Sequence, residues 1–175
     1  MDQQIRQRLD HGEVVIDTEA VDGSPLPRVV VLAVIEASPA RVWRIIDQVS
    51  EYHRTMGGVK SSTEISRGPV QEGEQVRARI TVKMPFPLRD LTSVTDAVHT
   101  VEPDRRYERR WRLVEGDYRE NRGGWVLTPF DDDSARTLVS YTLHAVPNIR
   151  IPAALHGVAQ RKIIPRLIDH LRRQV

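Results

Sequence analysis

A chain of 175 residues has the usual size of one domain and is long enough to bury a core without staples, and 39% hydrophobic with 29% charged residues is ordinary for a globular protein. The absence of cysteine excludes disulfides, thiolate nucleophiles, iron–sulfur clusters and cysteine-bound zinc, and no apolar run approaches the ~18 residues that span a bilayer. A formal charge of +2 places no demand for a polyanionic partner on the molecule as a whole.

Residues 1–8 are polar and lack the apolar stretch and cleavage site of a secretory signal, so a cytoplasmic location is expected. Residues 12–17 read as a short strand, and Asp22-Gly23-Ser24-Pro25-Leu26-Pro27 as a turn. The run Val29-Val30-Val31-Leu32-Ala33-Val34-Ile35 is β-branched and apolar on both faces, which predicts a strand covered from both sides. Ser38 and Pro39 follow as N-cap and first-turn proline of a helix carrying Val42, Trp43, Ile46 and Val49 at helical spacing. Residues 50–56 predict a second short helix, closed by Gly57-Gly58, whose freedom at positive φ suits a helix end.

From residue 59 to 146 the period changes to two, with turn signals at short intervals, as expected of an antiparallel meander. Val76, Ala78, Ile80, Val82 and Met84 share one face, opposite Arg77, Arg79, Thr81 and Lys83, and the apolar face is expected inside. Tyr107, Trp111 and Leu113 share a face opposite Arg110 and Arg112; Trp125 pairs in this way with Leu127, and Val139 with Tyr141, Leu143 and Ala145. Breaks at 71–73, 102–104, 115–117 and 131–134 read as hairpin loops. After residue 152 the period is helical again, with Leu155, Val158, Ala159, Ile163, Leu167 and Leu171 on one stripe. Pro165 inside that stripe predicts a bend or break.

Several local passages carry a resemblance. Ile35-Glu36-Ala37-Ser38-Pro39-Ala40-Arg41-Val42-Trp43, continued by Arg44-Ile45-Ile46-Asp47, resembles the passage from first strand to first helix in the START/polyketide-cyclase-like (SRPBCC, helix-grip) superfamily, which includes the birch-pollen allergens. Tyr52 with Met56-Gly57-Gly58-Val59, the loop Met84-Pro85-Phe86-Pro87-Leu88-Arg89-Asp90 and residues 147–152 are similar to further segments of it, with bacterial START-like and coenzyme Q-binding-type members the nearest branch. The resemblance implies an α+β helix-grip fold: a curved antiparallel sheet of about seven strands around a long C-terminal helix, with two short helices after the first long strand. One domain over residues 1–175 follows, residues 1–28 being an N-terminal extension with an extra strand. It also implies a deep apolar cavity for a lipid, sterol-like, quinone or polyketide molecule, and concave sites of this kind are common ligand pockets.

Direct chemical signals are few. The six histidines (His11, His53, His99, His144, His156 and His170) are scattered without metal-ligand spacing and read as surface or structural residues, so no metal and no cofactor is expected. Neither a phosphate-binding glycine loop nor a Gly-x-Ser-x-Gly elbow occurs, and no residue set closes a catalytic mechanism. Arg89 and Asp90 read either as polar groups steering a bound ligand or as an ion pair fixing their loop. Arg109 lies between Tyr107 and Trp111 on the inward face, where an unpaired guanidinium is costly and needs a carboxylate, a carbonyl or an acidic ligand group; a strand bulge would instead turn it to water.

The expected ligand-binding set is therefore Arg109, Tyr107, Trp111, Trp125, Tyr141, Leu155, Val158, Ala159 and Ile163, with no catalytic residue. Ala159, the smallest side chain of the terminal stripe, is expected to border the cavity. The leading reading is non-catalytic binding or transfer of a hydrophobic small molecule. Its alternatives are a cyclase or aromatase acting on a polyketide, and an interaction module using the basic last helix. Arg161, Lys162, Arg166, Arg172 and Arg173 leave a transient membrane-surface contact open, whereas nucleic acid is not expected because no aromatic residues interleave with these charges.

Overall fold

In the computed structural model, which describes residues 2–150 and 163–175, the apolar run after the first turn forms strand β2 (Arg28–Ile35) and pairs with the shorter β1 (Val15–Glu19). Helix α2 (Pro39–Asp47) follows, with Ser38 extended at its N-cap and Pro39 in the first turn, where no ladder N–H is needed. The Ser38 side chain makes no capping hydrogen bond, so the proline and the buried face of Val42, Trp43 and Ile46 set this helix start. A 3₁₀ turn (Val49–Glu51) leads into α3 (Tyr52–Thr55), and Gly58 at φ 89° then releases the chain.

The meander is β3 (Val59–Val70), β4 (Gly73–Val82), β5 (Leu91–Glu102), β6 (Arg106–Gly116), β7 (Tyr118–Phe130) and β8 (Asp133–Pro147). All pairs are antiparallel and the sheet order is β1-β2-β8-β7-β6-β5-β4-β3. The sheet has eight strands rather than about seven, because the N-terminal β1 adds an edge beyond β2. The β7–β8 turn carries Asp131 and Asp132 at φ 54° and 62°, the two positive values a tight hairpin demands.

Side chains alternate as the period predicts. On the inner face Val31, Ala33, Val76, Ala78, Tyr107, Trp125, Leu127, Val139 and Tyr141 pack with Val42, Trp43 and Ile46 of α2 and Tyr52 of α3. The terminal helix described is α4 (Ile164–Arg172), which buries Ile164, Ile168 and Leu171 in the same core. It is nine residues long, against the long helix expected; the expected beginning of that helix, with Leu155, Val158 and Ala159, lies outside the described residues. The stripe is also rotated: Ile163 is 37% exposed, because the spacing that buries 164, 168 and 171 leaves 163 on the outer flank. Pro165 occupies the first turn of α4, and a bend further upstream would fall outside the described residues.

One helix is unexpected. Helix α1 (Gln3–Asp10) is capped by Asp2, which accepts from Gln4 N, and it lays Ile5 and Leu9 on the outer face of the sheet against Leu32, Val34, Leu138 and Phe130. This second core explains why β2 is apolar on both faces.

Candidate functional site

Strand register brings a small polar group into the inner core. His99 of β5 lies directly opposite Arg109 of β6, which lies opposite Trp125 of β7 and through it Tyr141 of β8. Directly opposed antiparallel residues hold their Cβ atoms about 4.5–5.5 Å apart, so these side chains form one row across the face. Arg109 is 3% exposed, and its guanidinium sits 5.1 Å from the Trp111 ring centroid and 5.7 Å from that of Tyr52. Those rings supply cation–π attraction, yet Nε and Nη2 of Arg109 have no hydrogen-bond partner among the described residues. No bulge turns the residue outward: β6 and β7 stay in register from Tyr107 to Arg112.

His99 is likewise 3% exposed and stands edge-on to Trp43 at 5.3 Å. Its Nδ1 is 2.7 Å from Oδ1 of Asp47, at the end of α2. A carboxylate only accepts, so Nδ1 carries the proton and donates, leaving Nε2 of the neutral ring as a bare acceptor. That Nε2 is buried without a partner among the described residues, as is Oγ1 of Thr95, on the same face of β5. Burial lowers the His99 pKa below its ordinary value and outweighs the opposing hydrogen bond that His99 donates to Asp47, with the nearby Arg109 charge acting in the same direction as burial. The carboxyl of Asp47 is itself held low, first by that hydrogen bond and then by Arg67, which also ties Glu64 and Glu74.

The aromatic residues named from the sequence gather here. Trp125 stacks obliquely on Tyr141 at 4.3 Å, Trp111 lies 6.0 Å from Tyr141 and donates through Nε1 to Asn121, and Tyr107 is 5.8 Å from Trp43. Burial raises the Tyr141 pKa, so its phenol stays neutral. Five expected residues therefore share one wall: Tyr107, Arg109, Trp111, Trp125 and Tyr141. Ile163 does not join it, and Leu155, Val158 and Ala159 lie outside the described residues.

Tyr52, Thr95, His99 and Asp47 are not assigned to the site by the sequence pattern; the inward parity of Thr95, Ala97 and His99 along β5 is the signal that carries two of them. The side chains of Arg89 and Asp90 form no ion pair with each other, although Nη1 of Arg89 donates to the Asp90 backbone carbonyl at 3.4 Å. Arg89 binds Asp117 at 2.9 Å, while Asp90 binds Lys60 at 2.7 Å and accepts from Met84 N, so both brace the β4–β5 loop. An open groove of about 470 Å³ beside α1, lined by Ile5, Leu32 and Leu138, lies on the outer face and holds none of the unpartnered groups.

The sequence profile of a family described as polyketide cyclase / dehydrase and lipid transport matches residues 35–172. Among solved structures, a STAR-related lipid transfer protein fragment from Xanthomonas axonopodis is similar at TM-score 0.74 and 18% identity, covering 91% of this chain and 92% of its own. Human StAR-related lipid transfer protein 5 matches at TM-score 0.74 and 12% identity over 99% and 91% of the two chains. The Zhui aromatase/cyclase of Streptomyces sp. R1128 matches at 0.55 and 16% over 84% and 87%. No curated protein matches the sequence. Identities this low establish the shared fold, whereas the profile spans most of the chain: this protein belongs to the polyketide cyclase / dehydrase and lipid transport family.

Proposed function

We propose that the protein binds and carries a hydrophobic small molecule on the inner face of the sheet, without transforming it. The observation that carries this reading is Arg109, a guanidinium 3% exposed with two nitrogen donors that have no partner among the described residues, set among Tyr52, Trp111, Trp125 and Tyr141. A buried donor left unmade costs about 1–3 kcal/mol, and more when charged, so a fold retains such a group where something else completes it. The aromatic wall takes an apolar body, and Arg109 donates to its oxygen-bearing head. Family membership and the lipid-transfer and cyclase names among the similar structures support a hydrophobic ligand.

The test uses the neutral dye Nile red, displaced by the ketone pentadecan-2-one. Arg109→Met keeps the stem and removes the donors. It should weaken ketone binding by about 1.5–3 kcal/mol, leave Nile red binding in place, and not lower the unfolding midpoint of the ligand-free protein. Equal ketone affinity in parent and variant removes Arg109 from the site. A protein that binds neither compound, and carries no small molecule in native mass spectra after purification, is not a carrier.

One observation favours the cyclase or aromatase reading: Nε2 of His99, oriented by Asp47, is placed as a base beside a cation. Turnover of a linear polyketide substrate, lost in His99→Gln, would decide for it.

A further inference from the structure

Three polar groups without a partner among the described residues lie on one apolar wall, and they define a hydrogen-bond pattern as well as a place. Nε and Nη2 of Arg109 can only donate. Nε2 of His99 can only accept, because Nδ1 spends its proton on Asp47 at 2.7 Å. The two residues face each other across β5 and β6. Oγ1 of Thr95, four residues before His99 on the same strand face, does either. Tyr107, Trp125 and Tyr141 of the same face belong to the apolar cluster around them.

We infer that this corner selects a neutral hydroxy-carbonyl head group, whose carbonyl oxygen takes the Arg109 donors while its hydroxyl donates to Nε2 of His99. This rests on the carrier reading above and narrows its ligand class. A carboxylate presents acceptors alone and sets one of them against the His99 lone pair, and a simple ketone or ester leaves that lone pair unmade. Water can satisfy both residues, so a head group that displaces it must reproduce both halves of the pattern or lose affinity. The lowered His99 pKa keeps the ring neutral and the acceptor bare at neutral pH.

The experiment compares 4-hydroxypentadecan-2-one with its 4-methoxy ether, which has the same chain and carbonyl but no donor, each displacing Nile red. The hydroxy ketone should bind at least about tenfold more tightly, the worth of one buried hydrogen bond, and His99→Phe should bring the ratio to about one while the ether keeps its affinity. A second measurement needs no variant: the ¹⁵N resonance of His99 Nε2 in the parent protein should lie in the unprotonated range and move upfield with the hydroxy ketone only. Equal affinities in the parent, a ratio unchanged in His99→Phe, or an Nε2 resonance indifferent to the hydroxyl overturns the head-group assignment and leaves the carrier standing. Failure of Nile red and of both ketones to bind overturns the carrier reading and this inference with it.

Discussion

Asp47 and His99 share one protonation pattern, a neutral imidazole donating to a charged carboxylate, and both groups titrate below their ordinary values in the folded chain. A depressed folded pKa gives stability that is present above the unfolded pKa and lost as pH falls through the folded one. For His99 the loss begins near the ordinary value of 6.5 and runs downward to its lowered value; for Asp47 it begins near 3.8. The urea midpoint should therefore decline as pH falls from 6.5, and His99→Gln should flatten that first limb and shrink the fall below pH 3.8 to the part that Arg67 still maintains at Asp47. Parallel curves for parent and variant between pH 6.5 and about 5 would contradict the assignment. Arg109 is legible in the sequence because strand parity is a local rule and Tyr107 and Trp111 flank it. His99 is not, since its meaning comes from Asp47, 52 residues away, and no local pattern encodes that distance.

At the scale of elements, the packing of β6 on β7 depends on one missing side chain. Gly123 lies opposite Trp111, and a Cβ there would overlap the indole ring and the carbonyl oxygen of Thr142. Gly123 thus clears the space in which Trp111 lies against Tyr141 and under Arg109. Gly123→Ala should lower stability by about 1–3 kcal/mol through overpacking and should change the fluorescence of the displaced indole. An unchanged denaturation midpoint with unchanged emission would show that the strands have room to spare. The strand stays paired through both Gly123 and Gly124, and the first of them serves the close approach. Helix α1 is hidden from a reading of periodicity because only Ile5 and Leu9, four apart in a polar octet, mark its buried face; the second apolar face of β2 points to a cover without naming it.

At the scale of the whole molecule, period two announces the meander, while the placement of β2 between β1 and β8 is a pairing between distant parts of the chain that alternation cannot specify. The resulting sheet carries two separate cores. The inner one holds the polar corner, and the outer one is built from Leu9, Val15, Val34 and Phe130. The outer core is tied down by Arg136, which binds Asp10 of α1 at 2.9 Å and lies over the Phe130 ring at 4.8 Å. Two cores on opposite faces share backbone but few side-chain partners, so a change in one should reach the other weakly. Leu9 is fully buried, and Leu9→Ala removes methylenes from a small cluster with little freedom to collapse, for an expected loss of about 2–5 kcal/mol in chemical denaturation. Nile red affinity of the folded variant should nevertheless stay within about twofold of the parent, as expected for independent sites. A large loss of binding in a protein that remains folded would mean that α1 sets the curvature of the sheet at the site, and that the two faces act as one mechanical unit.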